Sequence, residues 1–197
     1  MRMLKDRQQF DDSDGEAERM GISSAIWPLF GVVWDSGQVL AHHMHQFDIA
    51  GKRILEAGCG LATSSLLLAQ RDADILASDY HPEAGKFLVE NNRINGGKDV
   101  PFFLADWAKE YPDLGTFDLI IGSDLLYEAG QDTLLADFVR RHAGETSEVI
   151  IADPGRPQAK KFTKLMEGLG FEHSRHRPDD LSYLDKPFKG YIHTYKR

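Results

Sequence analysis

The chain has 197 residues, enough for one domain that buries roughly 70% of its extended-chain surface. Lysine and arginine total 23 against 31 aspartates and glutamates, for a net charge of −8, so nucleic acid is not an expected partner. The chain lacks an apolar run of about 18 residues and an apolar signal-peptide core, so we predict neither a membrane helix nor a secretory leader. The single cysteine, Cys59, cannot form an internal disulfide, and we expect a cytoplasmic protein.

The first part of the chain is polar and mixed in charge. We expect residues 1–20 to form a flexible or loosely docked arm before a single domain over residues 21–197. Residues 35–47 predict a helix, because their apolar side chains recur on one face. Asp35 or Ser36 would cap its N-terminus.

The rest of the chain alternates between short apolar runs and amphipathic stretches, as in a sheet whose strands are joined by crossover helices. Strands are predicted near 53–57, 74–78, 101–104, 117–122, 148–152, 171–176 and 189–196, and helices near 61–71, 81–95, 130–142 and 157–169. The last strand alternates in polarity, which indicates an antiparallel edge. The sequence therefore predicts an α/β fold: a Rossmann-like, doubly wound, mainly parallel seven-stranded sheet with an antiparallel C-terminal edge.

A glycine-rich turn follows the first predicted strand. Glu56, Gly58 and Gly60 lie in that turn, and Asp79 and Tyr80 end the second strand about 20 residues later. A carboxylate at this spacing is suited to hold ribose hydroxyls. The pattern predicts a nucleoside cofactor, although such a turn by itself is often only a strand-to-helix connection.

The details of the turn select the cofactor. Thr63 stands where a dinucleotide site has its third glycine, and the Lys-Ser/Thr pair of a P-loop is absent from the sequence. Glu56 would repel a phosphate but suits a ligand with an ammonium group. S-adenosylmethionine (SAM) has an adenosine, a sulfonium and an amino-acid end, and it is the predicted cofactor. Cys59 is expected to serve as a small structural residue of the turn.

Asp106 and Trp107 follow the third predicted strand. Ligands in such sheets lie beyond the carboxyl ends of the strands. The carboxylate can accept a hydrogen bond from an adenine amino group, and the indole can pack on the ring face. The alternative is that Trp107 only covers the core.

Ser123, Asp124 and Tyr127 follow the fourth predicted strand. The Asp-x-x-Tyr spacing can place a carboxylate and a phenol on one turn, beside the reacting methyl group. The alternative is that Asp124 only caps the next helix.

A metal site is not predicted. His42 and His45 share a helical face beside His43, but the sequence nearby supplies no cysteine or carboxylate to complete a tetrahedral set. The roles of His81 and Arg156 stay open: His81 could approach the cofactor or lie in a loop, and Arg156 could bind a carboxylate or pair at the end of the sheet.

The motifs together resemble the class I, seven-β-strand SAM-dependent methyltransferases, and within them the protein-lysine group marked by D-x-x-Y after the fourth strand. The resemblance covers roughly residues 22–197, and the Asp-Pro-Gly-Arg segment ending at Arg156 is similar to the branch that methylates the β subunit of electron transfer flavoprotein. One departure is Ala62, which occupies the third small position of the family's G-x-G-x-G loop.

The resemblance implies a role for each motif. It implies that Glu56, Gly58 and Gly60 line the methionine part of SAM and that Asp79 holds the ribose. It further implies that Asp106 and Trp107 flank adenine and that Trp27 closes the pocket. Asp124 and Tyr127 are implied to face the target amine.

These observations favour a protein-lysine N-methyltransferase that binds no metal and transfers a methyl group by in-line displacement. The chain has no large insertion to cap a substrate, which favours a protein over a small molecule. A small-molecule methyltransferase and a non-catalytic SAM-binding partner subunit are the alternatives. A monomer is compatible with the sequence, which does not determine the oligomeric state.

Overall fold

The computed structural model of the protein describes residues 1–6 and 8–197, and one seven-stranded sheet forms its centre. The strands are β1 (Arg53–Ala57), β2 (Asp74–Asp79), β3 (Phe102–Leu104), β4 (Phe117–Ser123), β5 (Ala143–Asp153), β6 (Glu172–His176) and β7 (Tyr191–Lys196). Their order is β3-β2-β1-β4-β5-β7-β6. Strands β1 to β5 run parallel, and β7 is antiparallel to both of its neighbours. The predicted fold class is confirmed.

Helices on both faces of the sheet connect the strands. They are α1 (Glu16–Arg19), α2 (Asp35–Gln46), α3 (Thr63–Gln70), α4 (Pro82–Asn95), α5 (Gln131–His142) and α6 (Ala159–Gly168), with 3₁₀ helices at Trp27–Gly31 and Pro112–Leu114. Within the described residues, every helix is too short or too polar to traverse a bilayer.

The central strands are apolar because both of their faces are covered. One core cluster includes Leu40 of α2 and Leu68 of α3, and a second includes Phe138 of α5 and Phe162 of α6. The parallel arrangement brings the carboxyl ends of β1, β2, β4 and β5 to the same edge of the sheet.

Two local predictions were wrong. The residue that caps α2 is Trp34, which gives no side-chain cap, so neither Asp35 nor Ser36 has that role. Strand β5 begins at Ala143, five residues before the predicted start at 148, because the chain becomes extended directly after α5 and pairs with Phe117 before a register shift. The first residues of β5 are mostly polar, so the apolar pattern did not indicate that the strand begins there.

The predicted N-terminal arm includes residue 7, which lies outside the described residues. Elsewhere in the arm, the Leu4 side chain is buried and its N–H donates to the carbonyl of Gly31 at 2.7 Å. The backbone of Arg2 exchanges two hydrogen bonds with the side chain of Asn91. These contacts hold the beginning of the chain against α4 and the 3₁₀ helix at Trp27–Gly31. The domain boundary after residue 20 stays a prediction.

Candidate active site

A cleft of about 800 Å³ opens at the carboxyl ends of β1, β2 and β4. Its size falls within the range of roughly 300–1,000 Å³ that is usual for small-molecule sites. The loops after these strands form one side, and residues between 21 and 34 form part of the other. Every predicted site residue except Trp27 lines this cleft.

The glycine turn is in a conformation that glycine adopts most easily. Gly58 and Gly60 have φ values of +59° and +52°, in the left-handed region. A Cβ atom at Gly60 would stand 3.0 Å from the carbonyl oxygen of Phe30. Ala62 is also left-handed, with φ +56°, so the departure from the glycine pattern costs some backbone strain and keeps the turn.

We expect Gly60→Ala to lower the free energy of unfolding by roughly 1–2 kcal/mol more than Gly96→Ala. Gly96 has a similar φ of +61°, but a Cβ there would meet no atom within 4 Å, so it measures backbone strain alone. Urea denaturation of both variants checks the difference. Equal losses would mean that the contact with Phe30 is unimportant.

Glu56 is buried at the floor of the cleft, with 3% of its surface exposed. Its Oε2 accepts hydrogen bonds from the Ser65 backbone N–H at 2.9 Å and from the Ser65 hydroxyl at 2.5 Å. Burial raises the pKa of Glu56 to about 7, in spite of these bonds, and the nearby Asp79 carboxylate adds to the rise. A bound cation beside Glu56 would offset the burial and favour its ionised form.

Glu56 makes the free protein less stable as the pH rises. Its carboxyl ionises near pH 4.5 in the unfolded chain and near pH 7 in the folded one, so stability is lost progressively above pH 4.5. We expect Glu56→Gln to exceed the parent protein in unfolding free energy by on the order of 3 kcal/mol at pH 7.5 and by less than about 1 kcal/mol at pH 5. Urea denaturation at both pH values measures this, and a difference that does not depend on pH would contradict the assignment.

Asp79 ends β2 and faces the same cleft. Its two oxygens accept hydrogen bonds of 2.8 Å from the backbone N–H groups of Gly60 and His81. Burial raises the pKa of this carboxyl, and the hydrogen bonds oppose that rise. Each carboxylate oxygen has a second lone pair, so two further donors, such as ribose hydroxyls, can be accommodated.

Aromatic groups and a carboxylate lie at the adenine end predicted from the sequence. Asp106 accepts from the Ala108 N–H at 3.0 Å, and its own N–H donates to the Tyr111 hydroxyl at 2.8 Å. Trp107 lines the cleft and also packs against the core beside Phe138, and its contact with adenine stays a prediction. The Tyr80 hydroxyl, at the cleft wall, donates to the carbonyl of Met20.

Asp124 stands at the end of β4 in a left-handed conformation, with φ +51°. Helix α5 is capped by Gly130, so Asp124 is not a helix cap. Its side chain is 11% exposed and forms a bidentate ion pair with Arg156, whose Nε and Nη2 donate at 2.7 and 2.8 Å. Ser123 and Tyr127 line the cleft next to it. This pair could not be predicted from local sequence, because Arg156 lies 32 residues further along the chain.

Trp27 is outside the cleft lining. Its indole N–H donates to the carbonyl of Ile22 at 2.8 Å, and Ile22 does line the cleft. The tryptophan therefore fixes the segment that carries Ile22, and its direct contact with the cofactor stays a prediction. The rings of Phe30 and His81 also line the cleft and stack, with their centroids 4.2 Å apart. The apolar pattern around Phe30 did not predict that this residue forms a wall of the site.

The donor set of the cleft fits SAM. Glu56 suits an ammonium group, Asp79 suits ribose hydroxyls, and the N-terminus of α3 beside the glycine turn suits a carboxylate. Two buried polar atoms on the cleft wall, Ser64 Oγ and His81 Nε2, have no hydrogen-bond partner among residues 1–6 and 8–197. For the part of the chain that the structure describes, no cluster of three or more histidine, cysteine or acidic residues could hold a metal ion.

Comparison with known proteins gives a family match and relatives. A family model described as "lysine methyltransferase" matches residues 21–168. The chain is 30% identical over 135 residues to the electron transfer flavoprotein beta subunit lysine methyltransferase of Xenopus laevis, covering 66% of this chain and 54% of that protein. It is 29% identical over 126 residues to the histone-arginine methyltransferase METTL23 of Xenopus laevis, covering 60% and 54%. The chain thus spans about half the length of the curated relatives it matches.

A solved structure with the same fold is magnesium protoporphyrin IX methyltransferase (ChlM) from Synechocystis PCC 6803 with bound SAM. It superposes with a TM-score of 0.65 at 16% identity and covers 97% of this chain and 94% of that chain. At this identity the likeness shows the fold. The predicted Rossmann-like α/β fold is thereby confirmed.

Proposed function

The chain belongs to the lysine methyltransferase family, and from that premise we propose that it is a SAM-dependent protein-lysine N-methyltransferase. One observation carries the proposal: a single cleft holds the buried carboxylates Glu56 and Asp79 at one place and the Asp124 and Tyr127 pair at another. The first two suit the cofactor's cation and sugar. The second two suit an amine that approaches from outside.

The proposed cofactor contacts follow the donor set. Glu56, with Gly58 and Gly60, would hold the amino-acid end, and Asp79 would hold the ribose. Asp106 and Trp107 would flank adenine, while Tyr80 and Ser123 would complete the walls. The distances from Asp79 to the two backbone N–H groups support this placing, because they fix its carboxylate in one orientation.

When bound, SAM supplies a methyl group on a sulfonium, whose departure leaves a neutral thioether. In that transfer the amine nitrogen would form a bond to the methyl carbon as the carbon–sulfur bond breaks, and the electron pair of that bond would remain on sulfur. The protein contributes alignment of the three atoms, which is worth several kcal/mol of the barrier. Asp124 and Tyr127 would orient the amine by accepting its N–H groups.

The proton of the target ammonium must leave before attack, because a lysine has an ordinary pKa of about 10.4. Tyr127 is not the base, since burial raises the pKa of its phenol above the usual value and the group stays protonated at neutral pH. We propose that water takes the proton. Desolvation of the amine in the cleft lowers its pKa, which favours this transfer to water.

The proposed acceptor is a protein. The exposed apolar side chains Val33 and Leu134 lie at the rim of the cleft and supply a surface that a folded substrate can contact. By analogy with the electron transfer flavoprotein beta subunit lysine methyltransferase of Xenopus laevis, a subunit of an electron-transfer protein is a reasonable first substrate to examine. Cys59 is buried, and burial raises the pKa of its thiol, so the thiol is unreactive. We propose that the enzyme is cytoplasmic.

The test is transfer of a radiolabelled methyl group from SAM into a lysate of the source cell, with Asp79→Asn as the blank. After acid precipitation, label in a discrete protein band supports the proposal. Label found only in the soluble fraction would instead support a small-molecule methyltransferase. No label above the blank from a chain that still binds SAM would support a non-catalytic partner subunit.

A further inference from the structure

Asp124 is already paired in the cleft of the free protein. Arg156 Nε and Nη2 donate to Oδ1 and Oδ2 of Asp124 in a fork, which is the strongest arrangement of an arginine and a carboxylate. The Asp124 side chain is 11% exposed and that of Arg156 is 37% exposed. An amine that reaches Asp124 therefore meets a guanidinium next to the carboxylate.

The backbone holds both partners in place. The Asp124 N–H donates to the carbonyl of Ala152 at 2.9 Å, which ties the turn after β4 to the end of β5. Buried Asp153, the last residue of β5, accepts the N–H groups of Gly155 and Arg156 at 2.7 Å each. The backbone on both sides of the pair is thus held at the ends of two central strands.

The pairing changes the charge that a target amine meets. An isolated carboxylate would stabilise the ammonium form, which has no lone pair for attack, whereas a nearby guanidinium favours the neutral amine. Arginine keeps its charge at any working pH. Tyr127 is protonated and uncharged at neutral pH, so the other charges that act at this place are the carboxylates of Asp153, Glu128 and Asp79.

We propose that Arg156 is a positioning residue: it orients Asp124 and cancels its charge, so that the target amine is held in its neutral form. This inference rests on the proposed lysine methyltransferase function. The ammonium proton passes to water as the amine enters, and the neutral nitrogen then donates its N–H groups to the free lone pairs of Asp124. The arginine contacts no reacting atom.

The first test uses binding in place of turnover. The probe is a SAM analogue in which nitrogen replaces sulfur and carries an aminoalkyl arm as a substitute for the lysine. Calorimetric titration at pH 8 in two buffers of different ionisation enthalpy gives the number of protons released on binding. We expect release of close to one proton from the parent protein and from Arg156→Lys, and close to none from Arg156→Gln, which leaves Asp124 unneutralised.

The matched control is Arg140→Gln, which removes another arginine–carboxylate pair, in which Nε and Nη2 both donate to Oδ1 of Asp137 on the surface of α5. It should release the same number of protons as the parent protein, and thermal unfolding should show that all variants fold. Equal release from Arg156→Gln would overturn the positioning role and leave the proposed function standing. A probe that binds none of the proteins would overturn both proposals.

The pH dependence of methyl incorporation into lysate protein gives a second readout. We expect the half-maximal point of kcat to rise by about one pH unit or more in Arg156→Gln. It should stay in place in Arg156→Lys, which keeps the charge but loses rate because it cannot form the fork. A loss of rate in Arg156→Gln that is the same at every pH would indicate a purely structural arginine.

Discussion

Asp79→Asn should weaken the binding of SAM by about 100-fold, the largest effect on cofactor affinity that we expect. A hydrogen bond to a charged acceptor contributes roughly 1.5–3 kcal/mol, and Asp79 has lone pairs for two ribose hydroxyls. The amide keeps the size of the side chain but loses the charge and one acceptor oxygen. It also places an N–H₂ group against a backbone N–H that now donates to the carboxylate, from either Gly60 or His81.

Calorimetric titration with SAM measures this effect. Asp74→Asn is the control, because Asp74 lies in the same strand, is exposed and is remote from the cleft. That variant should bind SAM as tightly as the parent protein. An Asp79→Asn variant that is folded and binds SAM within threefold of the parent would show that the cofactor lies elsewhere.

Asp124→Asn should lower kcat/KM for methyl transfer at least tenfold while the affinity for SAM changes less than twofold. The carboxylate orients the amine, and loss of one well-placed contact in the transition state costs at least about 1.4 kcal/mol. The substitution also leaves Arg156 without its charged partner in a partly buried site.

The measurements are single-turnover rates with lysate protein as acceptor and separate titrations with SAM. Asp137→Asn is the matched control, since it breaks the surface pair with Arg140 and should leave the rate unchanged. A kcat/KM within twofold of the parent protein would remove Asp124 from the site. A matching loss of SAM affinity would instead assign it to cofactor binding.

Much of the fold could be predicted because its central strands are short apolar runs. The bounds of β1, at 53–57, agree with the prediction, because Gly58 adopts a left-handed conformation and ends the strand directly after Ala57. Helix α4 also follows its signals, with Pro82 in its first turn and Gly96 as its left-handed C-cap.

The candidate site could be predicted where one local segment carries the chemistry. Glu56 and Gly60 lie close together because one short glycine turn carries both. Asp79 lies beside them because it ends β2, the strand that pairs with β1. The pairing of Asp124 with Arg156 could not be predicted this way, because it joins two strands across a helix and depends on long-range geometry.

The same limit explains the residues before α2. The contacts of Leu4 with Gly31 and of Trp27 with Ile22 depend on how a polar segment folds back over the domain, and such a segment has no periodicity to indicate it. The sequence therefore indicated the floor of the cleft more fully than its outer wall.

The most direct test of the central claim is the chemical identity of the methylated residue. Protein labelled from SAM should be separated, hydrolysed in acid and analysed for its labelled amino acids. We expect the label as ε-N-methylated lysine, absent when the Asp79→Asn variant replaces the parent enzyme. Label recovered as methylarginine, the product suggested by the name of the METTL23 relative, or as methylhistidine, would contradict the assignment of a lysine acceptor.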